Sequence, residues 1–155
     1  MNIRKGNDDD FEALLDLHLQ LEDSEVIFDS NLRPHAFATE EGREKIRQGI
    51  QAEDFILLVC ENEFGKVVGF VDGEIIDSSL VYYEKIASLN HICVDRNYRR
   101  RGIADMLYSA FVEEVLKQEA KYIRVLAFPQ NKPAISFYQK HHLLEYSVYY
   151  QKKIQ

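Results

Sequence analysis

Apolar and polar positions change period several times along the 155-residue chain, and each change marks an element. Asn2 to Lys5 reads as a short first strand. From Asp8 to Leu21, the residues Phe11, Leu14, Leu15, Leu17, His18 and Leu21 recur at helical spacing behind an acidic start. Glu22 to Phe37 is polar and irregular, with Pro34 interrupting it. A second helix with a thin apolar face is predicted over roughly Thr39 to Ala52. The period then falls to that of strands. FILLVCEN and KVVGFVDGEII, joined at Glu63-Phe64-Gly65, read as a hairpin, and SLNHICV (Ser88 to Val94) reads as a further strand. After Gly102, Ile103, Met106, Leu107, Ala110, Phe111 and Val115 share one helix face. Lys121 to Phe128 is a strand, and Asn131 to His141 a short helix with Asn131 as N-cap and Pro133 in its first turn. Leu144 to Lys152, alternating in tyrosines, is predicted to close the chain as a strand.

The order β-α-α-β-β-β-α-β-α-β predicts an α+β fold with a single mixed sheet flanked by helices. No repeat, low-complexity tract or linker divides the chain, so residues 1–155 are expected to form one domain. The longest apolar run, FILLVC, is far too short for a bilayer, and MNIRKGNDDD lacks the apolar core of a secretory signal, so no membrane association is expected. Cys60 and Cys93 have neither metal-ligand spacing nor disulfide-rich company, which fits a reduced, cytoplasmic protein without a metal. With 26 acidic and 19 basic side chains the net charge is −7, a poor basis for general nucleic-acid binding. Acidic surfaces serve solubility and are compatible with cationic partners.

Against that balance VDRNYRRRGIADML stands out. Arg99, Arg100 and Arg101 precede a helix start, where the dipole already carries positive charge, and no Ser, Thr, Asp or Asn stands at a plausible N-cap. A bound anion resolves the conflict. The N–H groups of Arg101, Gly102, Ile103, Ala104 and Asp105 can point at phosphate oxygens, Gly102 and the small Ala104 allow close approach, and the arginines add charge. The plain alternative is a solvated arginine run with a water-capped helix. Dinucleotide and P-loop signatures are absent.

At these residues the chain resembles the GNAT superfamily of N-acetyltransferases. RRRGIA matches its Arg/Gln-x-x-Gly-x-Gly/Ala signature, and it stands between HICVDRNY and an amphipathic helix as the family requires. GKVVGF resembles the family's third strand and NKPAISFYQK its last helix, so the likeness extends from IRKG to the final strand. The resemblance implies the GNAT fold, a mostly antiparallel sheet with helices on both faces. It implies acetyl-CoA as co-substrate, with Arg99 to Asp105 on the pyrophosphate and the backbone of Ile92, Cys93 and Val94 on the pantetheine arm. Tyr138 matches the tyrosine beside the thioester sulfur, and Asn131 a position touching the cofactor, where capping competes. Cys93 reads as a buried, inert thiol and not as an acyl carrier. In place of the family's Gly-Phe the chain has His142 and Leu143; glycine would supply the left-handed residue that ends the helix and histidine tolerates it less well, so the helix end and the adjacent substrate wall are expected to differ.

The general base is open. SLNHICV and KYIRVLAF carry no acid. His91 has a suitable ordinary pKa, but strand alternation sets it opposite Asn90 and Ile92. Glu84, Glu22, Asp23, Glu25 and a water relay are alternatives. The expected activity is acetyl transfer to a primary amine of a small molecule or peptide by direct attack on the thioester. A rival is a non-catalytic acyl-CoA-binding sensor. An RNA-binding reading lacks interleaved aromatics. Homodimerisation is left open.

Overall fold

The computed structural model describes residues 1–77 and 84–154. Strand β1 (Asn2–Lys5) leads through a 3-10 turn at Asp8–Asp10 into α1 (Phe11–Glu25), and α2 (Glu40–Gln51) follows an irregular stretch. Then come β2 (Phe55–Glu61), β3 (Val67–Ile76), β4 (Ile86–Val94), α3 (Ile103–Lys117), β5 (Tyr122–Val125) and α4 (Lys132–Lys140). The five strands lie in the order β1-β2-β3-β4-β5, antiparallel throughout except for the parallel pair β4–β5. This is the predicted mixed, mostly antiparallel sheet.

Alternation along the strands builds two cores. Leu57, Val59, Phe70 and Cys93 face Leu14, Leu17 and Ile46 of α1 and α2. Ile56, Leu58, Val68, Val71 and Leu89 face Leu107, Phe111 and Val115 of α3. Local chemistry fixes the helix ends. Asn7 and Asp10 form a capping box, and Thr39 Oγ1 accepts from Gly42 N–H at the start of α2. Arg4 on β1 grips both oxygens of the buried Asp10 at 2.7 Å and Glu61 on β2 at 2.6 Å. That fork ties the first strand to the helix that follows it.

Two features shape the centre of the sheet. The β3–β4 register runs Asp72↔His91 and then Gly73↔Leu89, so Asn90 is an extra residue bulging from β4. Beyond Leu89↔Val125 no ladder joins β4 to β5, and Asn90 to Val94 continue without a strand on that side among the described residues.

The closing strand expected over Leu144 to Lys152 does not form. Residues 144–154 join no ladder, and Leu144, Tyr146, Val148 and Tyr150 are exposed. A period-two pattern becomes a strand only when a neighbour takes its N–H and C=O groups and covers one face. Among the described residues the segment's one ring contact is Arg124 of β5 over Tyr146, at 4.4 Å. Strand β5 is likewise shorter than the predicted Lys121 to Phe128.

Gly73 carries the tightest contact in the sheet. A Cβ there would stand 2.2 Å from Ser88 O and 2.8 Å from the Phe111 ring. Gly73→Ala is expected to destabilise the fold by about 3 kcal/mol, the upper range for overpacking. A urea titration with an unchanged slope and a lowered midpoint checks this, and an unchanged midpoint refutes it.

Candidate active site

The helix start that posed the anion problem keeps its N–H groups free. Gly102, in the N-cap position of α3, has φ 76° and no side-chain cap. The first helical bond runs from Met106 N–H to Gly102 O, so the N–H groups of Ile103, Ala104 and Asp105 find no acceptor among the described residues. A Cβ on Gly102 would meet nothing within 4 Å, so open space adjoins the backbone there. The arginine side chains partly build the loop itself. Arg99 Nε donates to Val94 O at 3.1 Å, and Arg101 donates to Asn97 O at 3.2 Å while lying 5.0 Å above the Tyr98 ring. Arg100 holds a left-handed φ of 63°. Asp105, in the first turn of α3, turns its carboxylate to α4, accepting from Lys140 at 2.6 Å and pairing with His141 Nε2 at 2.8 Å.

Ile92 and Val94 pack on the α3 side of β4 and Cys93 on the α1 side. Burial pushes the Cys93 thiol up to about 12, and its Sγ lies 3.4 Å from Leu17 O, as befits an inert cysteine. On α4, Asn131 Oδ1 caps the helix by accepting from Ala134 N–H. Burial, with Glu25 and Tyr108 adding to it, pushes the Tyr138 hydroxyl up to about 12. That hydroxyl makes no hydrogen bond to the described residues. Contrary to the altered end expected of a histidine, His142 takes the left-handed φ of 63°, and Leu143 N–H closes onto Tyr138 O at 3.0 Å to end α4.

His91 does not turn away as strand alternation predicts. The bulge resets the phase of β4, so Asn90 and His91 both line the cavity under α1 and α2. Asp72 of β3 stands beside His91. Its Oδ1 accepts the His91 backbone N–H at 2.8 Å and lies 3.0 Å from Nδ1. Nδ1 therefore carries the proton toward the carboxylate, and Nε2 of the neutral ring holds the lone pair. Burial disfavours the imidazolium, but Asp72, Glu25 and Glu22 outweigh it and raise His91 above the ordinary histidine value. His18 of α1 stands on the other side of Asp72, its Nε2 3.9 Å from Oδ2. Its Nδ1 donates to Leu14 O, its ring stacks on Phe70 at 4.5 Å, and burial pushes it down to about 4, so it is neutral. The donor atoms of His18, Asp72 and His91 lie within 4.8 Å of one another.

Of the other base alternatives, Glu84 is exposed ahead of β4 and Asp23 pairs with Arg96 at 3.7 Å. Glu22 Oε1 accepts the Phe37 N–H at 3.2 Å, while its Oε2 is buried without a partner among the described residues. The sequence reading missed Asp72. Its one signal was an acid inside the apolar run VVGFVDGEII.

A family model described as the acetyltransferase (GNAT) family matches residues 19–143. An uncharacterized N-acetyltransferase of Methanocaldococcus jannaschii is 33% identical over 82 residues, spanning 53% of this chain and 36% of that relative. Among solved structures, a point mutant of the BH1408 protein of Bacillus halodurans superposes with TM-score 0.88 at 19% identity, all of both chains being covered. The aminoglycoside N-acetyltransferase AAC(6')-Iy, solved in complex with CoA, superposes with TM-score 0.74 at 20% identity over 99% of this chain and 95% of its own. With a family model matched over residues 19–143, most of its length, the chain belongs to the acetyltransferase (GNAT) family.

Proposed function

We propose that residues 1–155 form one acetyl-CoA-dependent N-acetyltransferase domain acting on a primary amine by direct attack on the thioester. The observation that carries this reading is the His91–Asp72 pair on the bulge of β4, beside a strand segment that β5 leaves unpaired. The free N–H groups at the start of α3 suit the pyrophosphate, and the backbone of Ile92, Cys93 and Val94 suits the pantetheine arm. A CoA complex is known for one of the structural neighbours. Both cysteines are free and buried, in keeping with a cytoplasmic setting.

In this mechanism His91 Nε2 takes the proton of the bound ammonium while Asp72 holds Nδ1–H and stabilises the imidazolium that forms. The amine nitrogen bonds to the thioester carbonyl carbon, and as the tetrahedral intermediate collapses the C–S bond breaks and the nitrogen's second proton passes to the departing sulfur, so that coenzyme A leaves as the thiol. Tyr138, kept neutral by its burial, donates a hydrogen bond to the departing thiolate. Full proton transfer from a phenol at about 12 to a thiolate near 8.5 would be uphill by roughly 5 kcal/mol, so charge stabilisation is its role.

Gly102→Val should abolish the rise in melting temperature that millimolar coenzyme A produces in the parent, because a branched side chain at φ 76° is strained and fills the open approach. Gly102→Asn, which tolerates that conformation, should retain part of the shift. Equal shifts in all three proteins would reduce the glycine to a turn residue.

Tyr138→Phe should lower kcat and kcat/KM together by about ten- to a hundredfold, the worth of one hydrogen bond to a developing charge, with coenzyme A affinity unchanged. Unchanged turnover with chemistry rate-limiting would remove Tyr138 from the mechanism.

The pH profile tests the base. Since His91 must be neutral to accept a proton and its pKa is raised, kcat/KM should fall as pH drops through a value above 6.5. Asp72→Asn removes the nearest negative charge, leaving Glu22, Glu25 and neutral His18 around the ring. The acid limb should therefore move to lower pH while the plateau falls at least tenfold. A limb that stays in place would assign it to another group.

A further inference from the structure

Resting on the acetyl-transfer reading above, the geometry points to the class of acceptor: a primary amine with a compact apolar body, an arylalkylamine or a branched alkylamine. Its body would sit in the cavity between α1, α2 and the sheet, with its nitrogen at His91. The cavity measures about 340 Å³ and is lined by Leu14, Phe37, Ile46, Phe55 and Leu57. That volume is at the small end of ligand pockets, which run from about 300 to 1,000 Å³, so it takes a compact body and not a long polymer end. The apolar walls reward hydrocarbon, and Phe37 offers an aromatic edge within 5.9 Å of the His91 ring centre. Phe37 is fixed there by its N–H bond to Glu22 Oε1.

The polar lining restricts the charge such a guest can carry. Asp72 is the one carboxylate among the described lining residues, and its Oδ1 is engaged by two N–H groups of His91. Lys45 and Gln48, exposed on α2, stand at the solvent rim. A second ammonium buried in the body of the guest would meet no free counter-charge and would approach Lys45, a costly arrangement. The cavity therefore selects one cationic end, delivered to His91, and an uncharged remainder. Glu22 and Glu25 act electrostatically on His91 without lining this cavity, so they can favour the ammonium at the mouth but cannot neutralise a charge inside.

Acetylation of a graded series of straight-chain alkylamines, 2-phenylethylamine and spermidine, followed by release of free thiol from acetyl-CoA, tests this directly. We expect kcat/KM to rise about fourfold per added methylene until the cavity is full, with 2-phenylethylamine preferred over spermidine at least tenfold. Gly49 of α2 supplies the structural arm. A Cβ there lies 3.1 Å from the Phe55 ring, so a leucine at this position must crowd the cavity. Gly49→Leu should weaken 2-phenylethylamine binding to the coenzyme A-loaded protein at least tenfold by calorimetry, while the melting shift with coenzyme A alone shows that the variant is folded. If the variant does not fold, the chain-length series in the parent protein decides. A flat series, or a preference for spermidine, overturns the inference, leaves acetyl transfer intact and moves the acceptor toward Glu22 and Glu25. If no amine in the panel is acetylated, the acetyl-transfer reading falls and takes the inference with it.

Discussion

One extra residue in β4 sets the geometry on which the rest depends. In an unbroken strand His91 would stand opposite both neighbours, and the face toward α1 would carry Ser88, Asn90 and Ile92 in turn. Inserting Asn90 between the Leu89↔Gly73 and His91↔Asp72 pairs shifts the phase by one. Leu89 and Ile92 both stay in the α3 core, Cys93 in the α1 core, and His91 lands beside Asp72. The ladder to β5 ends at the same place, at Leu89↔Val125. A single insertion thus turns a core strand into a surface with free backbone and an oriented imidazole. The close approach at Gly73, one step along β3, lets Phe111 and Ser88 seat against the distorted pair.

Two titrating groups are displaced from their ordinary values in the same direction, with opposite effects on their charge. His91 is raised because Asp72 and the α1 carboxylates outweigh its burial, which makes it a stronger base than free imidazole. Tyr138 is raised because burial and Glu25 disfavour a phenolate, which keeps it a neutral donor. Glu25, itself raised by burial, acts on both groups and so makes the same demand twice: positive charge is welcome near His91, and negative charge on Tyr138 is not. A proton acceptor and a neutral donor are the pair that amine attack and thiolate departure need.

The helices, the hairpin and the sheet were legible in the sequence because their apolar periods are long and clean, as in Leu107, Phe111 and Val115 against α3's partners. The uncapped start of α3 was legible because a missing cap beside a glycine is a local contradiction, visible without tertiary knowledge. The end of α4 was not read correctly: His142 was expected to resist the left-handed conformation, yet it adopts φ 63° as a glycine would. Three other things were not legible. The bulge at Asn90 exists only as a register between two strands, and a single chain carries no trace of register. Asp72 looks like one polar residue in an apolar run until β4 is set beside it. The tyrosine pattern from Leu144 onward has strand alternation, but nothing among the described residues takes its backbone groups.

The arginine loop gathers positive charge at the positive end of a helix, and its own backbone takes up part of it. Arg99 and Arg101 spend donors on Val94 and Asn97 carbonyls, so part of their charge is already matched to backbone dipoles, and Arg101 rests on the Tyr98 ring. The left-handed residues Arg100 and Gly102 then carry the backbone into α3 with its first N–H groups exposed to open space. A non-glycine residue in that conformation costs about 1–2 kcal/mol, which the loop's own hydrogen bonds can offset. What remains is the rest of the guanidinium charge and the N–H groups of Ile103, Ala104 and Asp105, which find no acceptor among the described residues. Asp105 lies in the first turn of α3, yet Lys140 and His141 of α4 hold its carboxylate and lower its pKa. That pairing does two jobs at once. It docks α4, and with it Tyr138, onto α3, and it holds the Asp105 carboxylate on the α4 side.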